Sequence, residues 1–216
     1  QCGGSVCGAN AAEFLDNARG CALGANMAML IGHGTLRGAV MGTENREPTA
    51  EEMARMQQLL EQAMEDGAQG VSSGLGYIPS VYCNTKELIE VSKAAARHGG
   101  IYTTHSRSES MGLFDSVREC IHIAREGKVP VNISHFKCVG KVFWERCEEA
   151  LGMINDAINE GLDITLDAYP YVAASKGYID DIIEPKETRK KLAHALLISQ
   201  YKEEQHPKKK HGLPPF

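Results

Sequence analysis

Four short β-rich runs recur along the middle of the chain: Gly70-Val71-Ser72-Ser73, Gly100-Ile101-Tyr102-Thr103-Thr104, Val129-Pro130-Val131-Asn132-Ile133-Ser134 and Leu162-Asp163-Ile164-Thr165-Leu166. Counting Val71, Tyr102, Ile133 and Ile164 gives three steps of 31 residues. A step of that size holds one strand and one helix, and their alternation is the pattern of βαβ units on a parallel sheet. The stretches between the runs carry helical signals. Thr49 is an N-cap with Glu51 and Glu52 behind it, and Met53, Met56, Leu59, Leu60 and Met64 form an apolar stripe that stops at Gly67. A second helix is expected from Thr85 to Gly99-Gly100, a third from about Leu113 to Gly127 and a fourth from about Phe143 to Gly161. An earlier unit pairs a helix over Ala11 to Arg19 with an apolar strand over Met27 to Ile31, ending in Gly32-His33-Gly34. The fold class is α/β.

The 216 residues are 43% hydrophobic, enough to bury a sizeable core. A net charge of −5 argues against nucleic acid as a partner, because phosphate binding wants a basic surface. No apolar run is long enough to span a membrane, and nothing at the start reads as a signal peptide. Seven Cys at irregular spacings point to free thiols in a reducing compartment, so the chain is expected to be cytoplasmic. The first residues are Gln1-Cys2 rather than Met, as expected of a processed product or a piece of a longer protein. The character changes near Ser175. Residues 176–216 hold nine Lys and Arg against six acids, whereas residues 1–175 carry a net −8. Residues 188–201 read as a helix and the end, with Lys208-Lys209-Lys210, as a solvated tail. Two regions are therefore expected, 1–175 and 176–216.

In parallel α/β folds, ligands sit at the carboxyl ends of the strands. His33, Tyr77, His105 and Arg107, His135 and Lys137, and Asp167, Tyr169 and Tyr171 all fall just beyond expected strands. His105 and His135 occupy the same position in adjacent repeats, so two imidazoles would face one point, which suits a divalent metal of the zinc type. Each could equally be a hydrogen-bonded core histidine. Cys2, followed by two glycines, lies in an exposed turn that suits a thiolate ligand, while Cys7, Cys21, Cys120 and Cys147 read as small apolar fillers. Cys83 and Cys138 lie near strand ends with no clear partner. No Walker or dinucleotide glycine pattern opens a helix.

These motifs together resemble the N-acyl-D-amino-acid deacylases (D-aminoacylases) of the metal-dependent amidohydrolase superfamily. The resemblance is carried, in family order, by Gln1-Cys2-Gly3, by Gly32-His33-Gly34-Thr35-Leu36-Arg37 with Val40-Met41-Gly42, and by Gly70 to Pro79. Tyr102-Thr103-Thr104-His105-Ser106-Arg107, Ile133-Ser134-His135-Phe136-Lys137 and Asp167-Ala168-Tyr169-Pro170-Tyr171 complete it, covering residues 1 to about 175. It implies a partial (β/α)8 TIM-type barrel with its first and last strands missing. It implies Cys2, His105 and His135 as ligands of Zn2+, and Lys137, Tyr77 and Tyr169 beside the substrate, a small-molecule N-acyl amino acid whose carboxylate Lys137 would hold. The family's upstream His-x-His pair and its general-base Asp have no counterpart here, so the catalytic base is unassigned. This chain alone is therefore expected to be poorly active. Exposed barrel edges imply self-association; membrane and nucleic-acid partners are not expected. Two other readings stay open. One is a truncated pseudoenzyme that binds zinc without turnover. The other is a cyclic-amide hydrolase of the hydantoinase or dihydroorotase type, against which stands the absence of a Lys from Gly74-Leu75-Gly76-Tyr77.

Overall fold

The computed structural model describes residues 10–168 except 22 and 25. Cys2, Cys7, Tyr169, Tyr171 and the whole of 176–216 lie outside the described residues. Five parallel strands form one sheet in chain order: β1 (Ile31–Gly32), β2 (Gly70–Gly74), β3 (Ile101–His105), β4 (Val131–Ile133) and β5 (Ile164–Leu166). The helices are α1 (Ala11–Arg19), α2 (His33–Met41), α3 (Ala50–Glu65), α4 (Thr85–Arg97), α5 (Leu113–Gly127), α6 (Lys141–Trp144) and α7 (Cys147–Asn159). Successive strands are neighbours, and α2, α3, α4, α5 and α7 pack one against the next. A strand order that never reverses, with successive helices packed side by side, is the winding of a (β/α)8 barrel and not of a doubly wound sheet.

The helix boundaries follow from local chemistry. Thr49 and Glu52 close a capping box at the start of α3: the Glu52 N–H donates to Thr49 Oγ1 at 3.2 Å and the Thr49 N–H to Glu52 Oε2 at 2.8 Å. Asn84 caps α4 through Oδ1, so the helix expected at Thr85 starts one residue beyond its cap. The helix expected over 143–161 is two pieces, α6 and α7, interrupted at residues 145–146. The strand expected over 27–31 is confined to Ile31–Gly32, and the Gly-His-Gly segment opens α2 instead of ending a strand.

One rung of the sheet, Ile31–Val71–Tyr102–Val131–Ile164, is fully buried and faces the helices. The next, Gly32–Ser72–Thr103–Asn132–Thr165, is the polar face, where Thr165 Oγ1 bonds Asn132 Oδ1 at 3.0 Å. The register corrects the even 31-residue step. Val71 pairs with Tyr102, but Tyr102 pairs with Val131 and Val131 with Ile164, which are steps of 29 and 33. A two-residue shift keeps every side chain on its own face, so the sequence periodicity cannot detect it.

Gly70 is where β2 requires glycine. It adopts φ +151°, and a Cβ there would stand 2.1 Å from the carbonyl oxygen of Ile101. Neither backbone can yield without breaking the ladder. Gly70→Ala is expected to lower stability by about 3 kcal/mol, the upper end for a strained backbone position, read as a lower urea midpoint at unchanged slope. No described helix is long and apolar enough to cross a membrane.

Candidate metal and substrate site

The carboxyl ends of β3 and β4 bring His105 and His135 together. His105 Nδ1 and His135 Nε2 lie 2.8 Å apart, with ring centroids at 4.6 Å and planes at 72°. The two histidines are not register equivalents. The Ser134 N–H donates to the Thr104 carbonyl, so Ser134 is the residue that continues β4 alongside the end of β3. Strand alternation would send His135 to the helix side together with Ile133. A left-handed backbone at His135, φ +42°, turns the imidazole back towards His105. That conformation is uncommon for a non-glycine residue and is held from below: the His135 N–H donates to Asp167 Oδ1 at 2.6 Å, while Asn132 Nδ2 donates to Asp167 Oδ2 at 2.8 Å. Asp167, one of the polar residues expected just beyond a strand, thus works as the backbone clamp for His135.

Glu109, in the loop after β3, completes the cluster. Its Oε1 lies 2.8 Å from His135 Nδ1 and 2.6 Å from Lys137 Nζ. Lys137 Nζ also donates to the His135 carbonyl at 3.1 Å and lies 3.1 Å from His135 Nδ1. Sequence reasoning missed Glu109. Its only signal was a carboxylate four residues beyond His105, and that spacing in a loop predicts nothing by itself. Donor atoms of His105, Glu109 and His135 all lie within 4.8 Å of one another, as a metal site would need. Burial, reinforced by His135 and Lys137 and opposed by Glu109, holds His105 below the usual imidazole range. The ring is therefore offered neutral, the form that ligates metal.

The donor chemistry fits zinc. Two imidazole nitrogens converge, and they need part by only about half an ångström to meet tetrahedral Zn–N distances of about 2.0–2.1 Å. Tyr77, after β2, is exposed, with its ring centroid 5.1 Å from that of His105. Of the expected site residues, His105, His135, Lys137 and Tyr77 lie at this end of the sheet; Cys2 and Tyr169 lie outside the described residues.

Other polar strand-end residues turn out to be structural. His33 is buried, with Nδ1 2.9 Å from Ser80 Oγ and Nε2 3.0 Å from Glu87 Oε1. Arg107 is tied to Glu119 and to the Cys83 carbonyl. Cys83 and Cys120 are not activated nucleophiles: burial pushes both thiols up to about 12. Cys21, expected as an apolar filler, is exposed, because its place after α1 faces solvent and its thiol bonds only the Asn17 carbonyl. Cys138 does have a partner, the Cys147 thiol beside it.

Comparison with known proteins gives two kinds of match. Over 173 residues the chain is 43% identical to the D-aminoacylase of Alcaligenes xylosoxydans xylosoxydans, covering 80% of this chain and 36% of that protein. A crystal structure of D-aminoacylase, described as defining a novel subset of amidohydrolases, superposes with a TM-score of 0.71 at 41% identity, covering 76% of this chain and 34% of that one. An N-acyl-D-glutamate deacylase from Bordetella bronchiseptica, complexed with zinc and a phosphonate mimic of the tetrahedral intermediate, also gives 0.71, at 33% identity over 75% of this chain and 34% of its own. The chain spans about a third of the length of the curated deacylases it matches, and about a tenth of the curated carboxyltransferase subunits that its end matches. The second match is a family model, the carboxyl transferase domain, over residues 156–214.

Proposed function

Because the barrel segment belongs with the N-acyl-D-amino-acid deacylases of the amidohydrolase superfamily, we propose that it is part of a zinc-dependent hydrolase. The substrate is an N-acyl-D-amino acid, and the products are a carboxylic acid and the free D-amino acid. The observation that carries this reading is the convergence of His105 Nδ1 and His135 Nε2 beside Lys137, in a segment 43% identical to a D-aminoacylase. His105 and His135, with Cys2, hold the metal. When bound, zinc supplies a water of lowered pKa and polarises the amide carbonyl. Lys137 offers an ammonium to the substrate carboxylate, for which the substrate competes with Glu109. Tyr77 walls the approach to His105 from the end of β2, and Tyr169 is assigned to the same pocket. The setting is cytoplasmic, and the edge strands of the described sheet, β1 and β5, favour self-association.

The region boundary stays at residue 175, with 1–175 as the partial barrel. The carboxyl transferase match over residues 156–214 takes in all but the last two residues of the basic segment 176–216, and it begins 20 residues before that segment, within α7. A second reading, a chain that binds zinc without turnover, is favoured by one observation. Both described carboxylates beside the histidines are engaged, Glu109 with Lys137 and Asp167 with the His135 N–H, so neither is set to take a proton from water. Absence of a positioned base typically costs on the order of 10² to 10⁴ in rate.

Elemental analysis of the purified chain, with an assay on N-acetyl-D- and N-acetyl-L-amino acids, separates these readings. About one zinc per chain with weak, D-selective hydrolysis is expected. Zinc without any turnover supports the second reading. A folded chain that takes up no zinc overturns both.

A further inference from the structure

Tyr77 is 55% exposed, too little buried for core packing to hold its ring 5.1 Å from that of His105. The loop that carries it, residues 75–83, is pinned instead through its backbone. At its start the Leu75 N–H donates to the His105 carbonyl at 3.0 Å. Gly76 then passes so near the imidazole that a Cβ there would stand 3.5 Å from His105 Nε2. At the end of the loop Arg107 Nη1 donates to the Val81 carbonyl at 3.3 Å and Nη2 to the Cys83 carbonyl at 3.1 Å. The turn between is closed by the Val81 N–H, which donates to the Tyr77 carbonyl at 2.8 Å. Both ends of the loop therefore rest on residues 105–107, and the residue that Arg107 grips is the one bonded to Tyr77.

Glu119 aims the guanidinium. Its carboxylate accepts from Arg107 Nε at 3.1 Å and Nη2 at 3.0 Å, and from Thr85 Oγ1 at 2.8 Å at the start of α4. That pairing leaves Nη1 and the second N–H of Nη2 for the loop carbonyls, a division of donors that suits a planar guanidinium and that a lysine ammonium cannot copy.

We propose that Arg107 is a positioning residue that holds Tyr77 beside His105 by clamping the far end of the loop between β2 and α4. The inference deepens the deacylase reading above, on which the worth of Tyr77 at this place rests, and gives a role to a residue that the resemblance left without one. A further anchor, Ser80 Oγ at 2.9 Å from the buried His33 Nδ1, fixes the middle of the loop; Arg107 fixes the end beyond it.

The test uses the full chain with Arg107→Lys, Arg107→Met, Tyr77→Leu and the double variant Arg107→Lys with Tyr77→Leu, each checked for folding by circular dichroism. Nuclear Overhauser effects between the Tyr77 and His105 ring protons report the contact in the metal-free protein. They are expected in the parent and lost in both Arg107 variants. Arg107→Lys keeps a charge opposite Glu119, so it separates the clamp from the ion pair. On a panel of N-acetyl-D-amino acids with zinc present, Arg107→Lys and Tyr77→Leu are each expected to lose about 10–100-fold in kcat/KM. The double variant should be no worse than Tyr77→Leu, because Arg107 acts through that ring. Overhauser effects absent from the parent, or surviving in either folded Arg107 variant, overturn the proposal. Losses that multiply in the double variant overturn it as well, since they make Arg107 act elsewhere. If the parent hydrolyses no N-acetyl-D-amino acid, the hydrolase reading fails, and the Overhauser effects still decide the role of Arg107. If Arg107→Met does not fold, Arg107→Lys decides it.

Discussion

Arg37→Ala is expected to lower stability by about 3–5 kcal/mol, a large share of the roughly 5–15 kcal/mol that holds a domain together. Arg37 is fully buried and binds both oxygens of Glu87 through Nη1 at 2.6 Å. Its Nη2 donates to the carbonyls of Glu44 and Arg46 at 3.1 and 2.6 Å. One guanidinium thus joins α2, α4 and the turn into α3. Truncation leaves the Glu87 carboxylate in an apolar interior with only His33 beside it, and that stranded charge dominates the cost. Urea unfolding of the full chain reads the loss. Replacing both partners, Arg37→Met with Glu87→Leu, should recover much of it, because the pair's favourable term is largely repayment of desolvation. The same network sets an acid limit. Burial pushes the Glu87 carboxyl up, but hydrogen bonds and charge from His33 and Arg37 outweigh it and leave it below the usual carboxylate range. A depressed folded pKa means that stability is present above the unfolded value, near 4.5, and drains away as pH falls below that towards the folded one.

His105→Ala and His135→Ala are each expected to abolish zinc uptake while leaving the fold intact, measured as metal per chain after dialysis against free zinc. Loss of a mere supporting partner costs about 10–100-fold in affinity, so loss of a ligand must cost more. Both side chains sit at the rim of the sheet, outside the apolar rung that carries the core, so the damage is confined to the site. Lys137→Ala should separate the roles. Its zinc content is expected to stay near that of the parent, while KM for an N-acyl-D-amino acid rises by roughly 10–100-fold, the worth of one charge-assisted hydrogen bond to a carboxylate.

Much of this architecture was legible in the sequence because its signals are local. The Thr49 cap, with Glu51 and Glu52 behind it, and the stop at Gly67 lie within a few residues of what they control, whereas the Asn84 cap, one residue before the expected start at Thr85, was passed over. Alternating strands and helices declared the parallel sheet. What escaped was geometry between elements. The even spacing of the β-runs concealed a two-residue register shift at β4, since the shift preserves the inside–outside pattern. His105 and His135 were paired for the wrong reason: they meet because His135 leaves the strand in a left-handed turn, not because they share a rung. Glu109 and Asp167 take their roles from loops that close only in three dimensions. Arg37 sat inside a recognisable motif, and nothing in the motif distinguishes a buried structural guanidinium from a substrate-binding one.

The left-handed backbone at His135 carries a consequence for how such a chain can change. Glycine or asparagine would occupy that conformation with less strain, so selection for stability alone pulls the position away from histidine. Only the chemistry of the imidazole pulls the other way. The residue is therefore a marker of use: a lineage that no longer needed the metal would be free to relax this turn, and one that keeps histidine here is under continuing functional constraint.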